Sequence, residues 1–249
     1  MKLSKKAFTL VELLVVIAVI ALLMGILMPA LSMARKQGQR AVCQSNLRQQ
    51  HAACCMYIDD YDGYFPCNGV LTGVWYYLWG GKNGSEPGAN QPKRFLNPYI
   101  CKKGTVGTGS EDKQLHVFKC PADRGQIEGH YKLPPEGRKT CWDSQGLSYL
   151  PNFSANNNDA SKSLWGRKIT QIKNTHKLIL VRDFSFLAYF ITPEGTHGGL
   201  PFGYFYWHKN KYNGWGNVTF VDGHTEFLQA TQDKPDFQNG DGWTFIVNK

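Results

Sequence analysis

The chain has 249 residues, 42% of them apolar and 19% charged, a balance that fits neither a disordered polymer nor a many-pass membrane protein. Its net charge is +9, but three of those charges (Lys2, Lys5 and Lys6) sit at the extreme N-terminus, leaving 25 basic against 19 acidic residues thinly spread. With no arginine stripe and no nucleic-acid-binding spacing, nucleic acid is not an expected partner. Aromatic residues at 13%, with Gly 26 and Pro 12, point to a sheet-rich, turn-rich body.

The N-terminus comes first and is the most informative segment. Leu13 to Leu31 is a run of 19 residues without a charge. As a helix it would extend about 29 Å, close to the thickness of a bilayer core. Basic residues precede it, so the N-terminus is expected to stay in the cytoplasm and the rest of the chain to lie outside. A cleaved secretory signal, with Ser32-Met33-Ala34 as its small-x-small site, and a plain signal anchor are the ordinary readings. A lipoprotein signal fails because no Cys closes the apolar run. Glu12 argues against the two that remain. A carboxylate carried to the membrane centre costs about 2.5–3.5 kcal/mol, and neither reading has a use for it.

Lys5-Lys6-Ala7-Phe8-Thr9-Leu10-Val11-Glu12-Leu13 resembles the type III signal of type IV prepilins and type II secretion pseudopilins. The resemblance implies cleavage between Ala7 and Phe8 by a prepilin peptidase, N-methylation of Phe8, and Glu12 as the fifth residue of the mature chain. Pro29 falls where these proteins carry a helix-kinking proline. One departure is Ala7, where the family prefers Gly. The resemblance further implies that Glu12, buried in a filament core, meets the Phe8 amine of a neighbouring subunit and sets the stagger of assembly. A buried carboxylate must find a partner or become neutral. The expected organisation is a leader over residues 1–7, a transmembrane and assembly helix over 8–33, and a globular pilin-like domain over 34–249. The expected setting is the inner membrane, with the C-terminal body in the periplasm before assembly into a periplasmic or extracellular filament. The expected partners are prepilin peptidase and other pilin or pseudopilin subunits.

The helix is expected to continue past the membrane, since Ala34 to Asp59 contains no Pro and only Gly38 as a breaker. Val42, Leu47, Cys54, Ile58 and Tyr61, joined by Cys43, recur at near-helical spacing. One helix from about Phe8 to Tyr61, bent near Gly25 and Pro29, is the preferred reading; two helices split at Pro29 is the other.

Beyond Asp62-Gly63 loops dominate, with Tyr149 and Phe153 as anchors. Strands are expected at Leu115–Phe118, Lys177–Arg182, Phe186–Thr192 and Gly203–Trp207. Asn217 to Leu228 reads as a hairpin whose Asp222-Gly223 favours a two-residue type I′ turn, with Phe220 and Phe227 covering the core. The whole is α+β: a type IV pilin-like fold, with a long N-terminal helix packed on an antiparallel sheet with irregular loops. Several body segments also resemble the pseudopilin-like proteins with many paralogues in some bacterial phyla. These are Cys43-Gln-Ser-Asn46-Leu47-Arg48-Gln49, Asp59 to Pro66, Phe118 to Asp123 (their "CP-[ST]-D" segment), and His208 followed by the Asp222-Gly223 hairpin, although the His-to-Asp spacing is longer than usual. That likeness bears on fold more than on activity.

Candidate chemistry in the body is sparse. Seven cysteines follow the apolar run, at 43, 54, 55, 67, 101, 120 and 141, in no CxxC or Cys/His zinc spacing. Disulfides are the default outside the cytoplasm. Cys101–Cys120 is the preferred pair because both flank one loop-rich insertion, and Cys67–Cys141 is the second. Cys54 and Cys55 face different sides of the helix, one of them toward the core. Asp233, Asp236 and Asp241, with Asn239, offer hard oxygen ligands that can hold Ca²⁺, though in no EF-hand order. His197, His208 and His224 with Asp183 and Asp222 make a weaker catalytic or metal group. No nucleophile elbow, zinc-protease or phosphate-loop motif is present, so the chain does not read as an enzyme. The aromatic runs Trp75–Trp79 and Tyr204–Trp207, with Trp215, fit core packing better than a carbohydrate platform. The function expected is a structural filament subunit; the alternative is a membrane-tethered or secreted ligand-binding module, such as a carbohydrate binder.

Overall fold

The computed structural model describes residues 9–67, 78–85, 94–101, 113–125, 140–152, 164–187, 207–208, 215–229, 238–239 and 243–244. The chain divides into two compact units, Met1–Gln39 and Arg40–Lys249.

Helix α1, Leu10–Asp60, is a single 51-residue element that runs through Pro29 without a break. Proline removes its own N–H from the ladder and crowds the carbonyl four residues back, but the helix continues through it, and the reading of two separate helices is not borne out. In the first unit α1 is apolar and exposed: Leu13, Val16, Ile20, Leu23 and Leu27 all face outward. Among the described residues it is the one helix long and apolar enough to cross a membrane.

In the second unit α1 buries a continuous stripe: Cys43, Asn46, Leu47, Gln50, Ala53, Cys54, Tyr57 and Ile58. Val42 and Tyr61, expected on that stripe, are half exposed. The stripe carries two amides in their place, and their bonds explain why polar residues occupy it. Asn46 Nδ2 donates to the Lys119 carbonyl (2.9 Å) and lies 3.2 Å from the Tyr149 hydroxyl. Gln50 Nε2 donates to the Val117 carbonyl and its Oε1 accepts from Trp79 Nε1, both at 2.9 Å. Buried side chains that answer backbone carbonyls cost nothing in lost solvation bonds and fix one register.

Those same bonds decide the next segment. Lys113–Phe118 is a 3₁₀ helix rather than the expected strand. Its carbonyls face α1 amides instead of a neighbouring strand. The three-residue repeat puts Leu115 and Phe118 together in the core, where a strand would have put Leu115 and Val117. Short helices α2 (Asn97–Ile100) and α3 (Cys141–Ser144) follow in the described chain.

The sheet has four strands, β1 (Tyr149–Pro151), β2 (Ile179–Asp183), β3 (Trp215–Phe220) and β4 (Thr225–Gln229), in spatial order β1-β2-β3-β4. Every pairing is antiparallel, with Tyr149 opposite Asp183, Val181 opposite Thr219, and Asn217 opposite Phe227. The expected strand at Lys177–Arg182 is β2, which starts two residues later and ends one later. The expected strand from Phe186 begins as helix α4, Phe184–Leu187, because Asp183 Oδ1 accepts from the Phe186 N–H (3.1 Å) and caps a turn of helix. The rest of that strand, the Gly203–Tyr206 segment and Phe153 lie outside the described residues. Two-residue strands β5 (Gln238–Asn239) and β6 (Trp243–Thr244) pair separately.

The hairpin between β3 and β4 forms as expected but turns differently. The Gly223 N–H donates to the Phe220 carbonyl and the Phe220 N–H donates to the His224 carbonyl, both at 3.0 Å. Val221, Asp222 and Gly223 therefore make a three-residue loop. Gly223 alone has positive φ, at 96°, whereas a type I′ turn demands it of Asp222 as well. The loop is a type I turn closed by a glycine bulge. Phe220 is buried and Phe227 half buried, under the guanidinium of Arg40 at 3.7 Å.

Candidate functional sites

The first site is the N-terminus of α1. Thr9 and Glu12 bond reciprocally there. Thr9 N–H and Oγ1 both donate to Glu12 Oε2 at 2.8 Å, and Glu12 N–H donates back to Thr9 Oγ1 at 3.3 Å. This is a capping box, in which the side chains satisfy donors that a helix start leaves open. The pattern Thr9-x-x-Glu12 carries that signal in the sequence, yet a reading centred on membrane cost passes over it. Ala7 and Phe8 lie outside the described residues. Pro29 stands within the exposed apolar stretch of α1.

Residues 2–28 match the prokaryotic N-terminal methylation motif. The chain opens on a prepilin-type signal. That signal and the exposed apolar helix behind it fit anchoring in the inner membrane. No curated protein and no solved structure matches the chain significantly.

The second site is a buried cluster in the body. Cys43 of α1 is joined by a disulfide to Cys120, 77 residues further on, with Cα atoms 5.5 Å apart. This corrects the expected Cys101–Cys120 pair: α1 packs directly over the turn at Cys120, whereas Cys101 ends the α2 segment. Cys67, exposed, and Cys141, buried in α3, are not bonded to each other either. Cys54 is in the core and Cys55 faces out, as their adjacent helix positions require.

His208 Nε2 lies 3.5 Å from Cys120 Sγ, 3.1 Å from Asp183 Oδ2 and 3.2 Å from Asn217 Nδ2. All four residues are buried. Asp183 is held by further donors. Its Oδ1 accepts from Ser185 Oγ (2.6 Å) and the Phe186 N–H, and its Oδ2 accepts from the Asn217 N–H (2.7 Å) and Nδ2 (3.2 Å). Asn217 Oδ1 has no hydrogen-bond partner. The sequence pairs His208 with Asp183 in one candidate group but leaves out Cys43 and Cys120. His224, by contrast, bonds Asp222 and stacks on Phe220 at the hairpin, with ring centroids 4.0 Å apart. His197 lies outside the described residues.

Asp123, the acidic end of the Cys-Pro-x-Asp segment, has a structural task. Its Oδ1 accepts from the N–H groups of Gly125 (2.8 Å) and Cys141 (3.0 Å), and its Oδ2 from the Trp142 N–H (2.9 Å) and Ser148 Oγ (2.6 Å). Burial pushes its carboxyl above the usual carboxylate range despite those donors.

A second Cys–His pair lies in a pocket of about 280 Å³ lined in part by Asp59, Ile169 and Asp222. Cys55 Sγ is 3.7 and 3.8 Å from the two ring nitrogens of His51, whose Nε2 is 3.1 Å from the Val221 carbonyl. A carbonyl only accepts, so Nε2 carries the proton. Burial, reinforced by Asp59, pushes the Cys55 thiol up, opposite to the shift that activates a nucleophilic cysteine.

The aromatic runs are core where they are described: Trp79 and Trp207 are buried, and Trp215 stacks on Phe227 at 5.2 Å. Tyr99 donates to Asp60 at 2.8 Å, tying down one of the acidic residues at the end of α1. The calcium candidates Asp233, Asp236 and Asp241 lie outside the described residues.

Proposed function

We propose that the chain is a structural subunit of a type IV pilus-like or type II secretion pseudopilus filament, without enzymatic activity of its own. The observation that carries this reading is the methylation motif over residues 2–28, continuous with an exposed apolar helix. So much exposed apolar surface calls for lipid in one state and for other helices in another. In this reading residues 1–7 are the leader and 8–33 the membrane and assembly helix. Residues 34–249 are the body, facing the periplasm. Prepilin peptidase cuts between Ala7 and Phe8 and the new Phe8 amine is methylated. Glu12 then also pairs with the Phe8 amine of a neighbour.

Mass spectrometry of the N-terminus of protein from its native host tests this. N-methyl-Phe8 is the expected terminus, and Ala7→Leu is expected to leave the leader attached. A terminus after Ala34 would replace the filament with simple secretion and favour the ligand-binding module.

A further inference from the structure

Cys43 Sγ, Cys120 Sγ and a ring nitrogen of His208 all lie within 4.8 Å of one another, and all three residues are buried. They come from three distant segments: α1, the turn before Asp123, and the loop ahead of β3. We propose that these side chains form a buried three-ligand site for a thiophilic divalent cation, with zinc as its probe, filled when the Cys43–Cys120 disulfide is reduced.

The donor set is right for such an ion. Two thiolates and an imidazole are a recurrent zinc combination, with bonds of about 2.3 Å to sulfur and about 2.0–2.1 Å to nitrogen. At tetrahedral angles those lengths place sulfur and nitrogen about 3.6 Å apart. Cys120 Sγ and His208 Nε2 are 3.5 Å apart. The electrostatics agree. Asp183 Oδ2 accepts from the same ring nitrogen at 3.1 Å in the disulfide form, so that proton moves to Nδ1 when the nitrogen takes up the ion, and the carboxylate then brings negative charge to the buried cation. A cation offsets buried carboxylate and thiolate charge that would otherwise be costly. Asp183 is itself held by Ser185 Oγ and the Phe186 N–H of α4 and by the Asn217 N–H of β3. His51 and Cys55 do not share this support.

The two states exclude each other because the same sulfurs serve both. Opening the disulfide takes two electrons and two protons. A phosphine supplies the electrons and leaves as its oxide, with oxygen from water. Zinc binding then displaces the two thiol protons to solvent as the Zn–S bonds form. Oxidised, the cluster staples α1 to the Cys120 turn covalently; reduced, the ion holds the same segments together.

The test uses the full-length protein in detergent, reduced with a phosphine under anaerobic conditions and titrated with Co²⁺. One cobalt per chain is expected, with a thiolate-to-cobalt charge-transfer band that zinc abolishes. The band should be missing from the oxidised protein and from Cys43→Ser and Cys120→Ser. In His208→Gln affinity should fall at least tenfold, and in Cys55→Ser it should be unchanged. No band from the reduced parent, or a band that survives Cys43→Ser, overturns the site. If the cysteine variants do not fold, the parent decides alone. Zinc must raise the unfolding temperature of the reduced form with rising concentration and leave the oxidised form unmoved; a reduced form indifferent to zinc overturns the proposal. None of these readouts depends on filament assembly.

Discussion

Asp123 ties the turn after Cys120 to the start of α3 and to Ser148 through one carboxylate. Asp123→Ala leaves three backbone N–H groups and a hydroxyl without their acceptor. A buried donor left unsatisfied costs about 1–3 kcal/mol, so a loss of about 3 kcal/mol or more is expected. Asp123→Asn, which keeps one acceptor oxygen, should fall between. Urea unfolding with an unchanged slope measures both, and a midpoint equal to the parent's would show that these bonds do not hold the body together. Asp143 makes a different case. Burial alone would raise its carboxyl, but hydrogen bonds from Lys82 (2.7 Å) and Thr140 (2.6 Å), with the Lys82 charge, hold it below its ordinary value. A carboxyl lowered in the folded state contributes stability that is present above its unfolded pKa and lost as pH falls through the folded one. Asp143→Asn should therefore be less stable than the parent at neutral pH and equal to it in strong acid. The pair is partly exposed, so the difference is small and shrinks with salt. A gap that stays constant down to strong acid would mean that charge plays no part.

At the scale of elements, the β3–β4 loop is the sharpest test. Gly223 has φ of 96°, and a Cβ there would come within 2.7 Å of the His51 ring, itself held against the Val221 carbonyl. Left-handed backbone costs an L-residue about 1–2 kcal/mol, and the ring contact adds to it. Gly223→Ala should lower the urea midpoint accordingly; no change would disprove the loop's close approach to α1. The sequence showed this hairpin because alternation on both sides of Asp-Gly survives any turn type. It did not show the loop length, which rests on whether Asp222 takes positive φ, and many residues fit either turn. The helix was legible for a similar reason: a long charge-free apolar run followed by a near-helical repeat needs no tertiary context, even across Gly25 and Pro29. Its buried face was less so. Asn46 and Gln50 belong to that face because of carbonyls some 70 residues away, whereas apolar spacing points to Val42 and Tyr61. Leu115–Phe118 was misread through the same contacts, because two apolar side chains three apart suit a 3₁₀ turn and alternation masks them.

For the molecule as a whole, local motif and distant assembly part ways. The buried Cys–His cluster has no sequence spacing to betray it, since Cys43 and Cys120 are 77 residues apart and Cys120 and His208 are 88 apart. The N-terminal signal is entirely local and was legible from nine residues. The capping box gives Glu12 a second role and sharpens the decisive experiment on assembly. Glu12 serves α1 through Thr9 in the single chain, and in the proposed filament it must also answer the Phe8 ammonium of a neighbour. Glu12→Gln separates the two roles. Glutamine closes a capping box as glutamate does, so the start of the helix survives. The segment becomes less polar, so membrane insertion should not suffer. Only the charge is lost, and in a filament core that leaves an ammonium buried without a counterion, at about 3–5 kcal/mol per subunit. The variant should be inserted and cleaved before Phe8, yet remain in the membrane fraction while sheared filament material disappears. Glu12→Ala, which also opens the capping box, should add a loss of helix at the N-terminus. Filaments from Glu12→Gln in parental amount would reduce Glu12 to a helix cap and remove the charge pair from assembly.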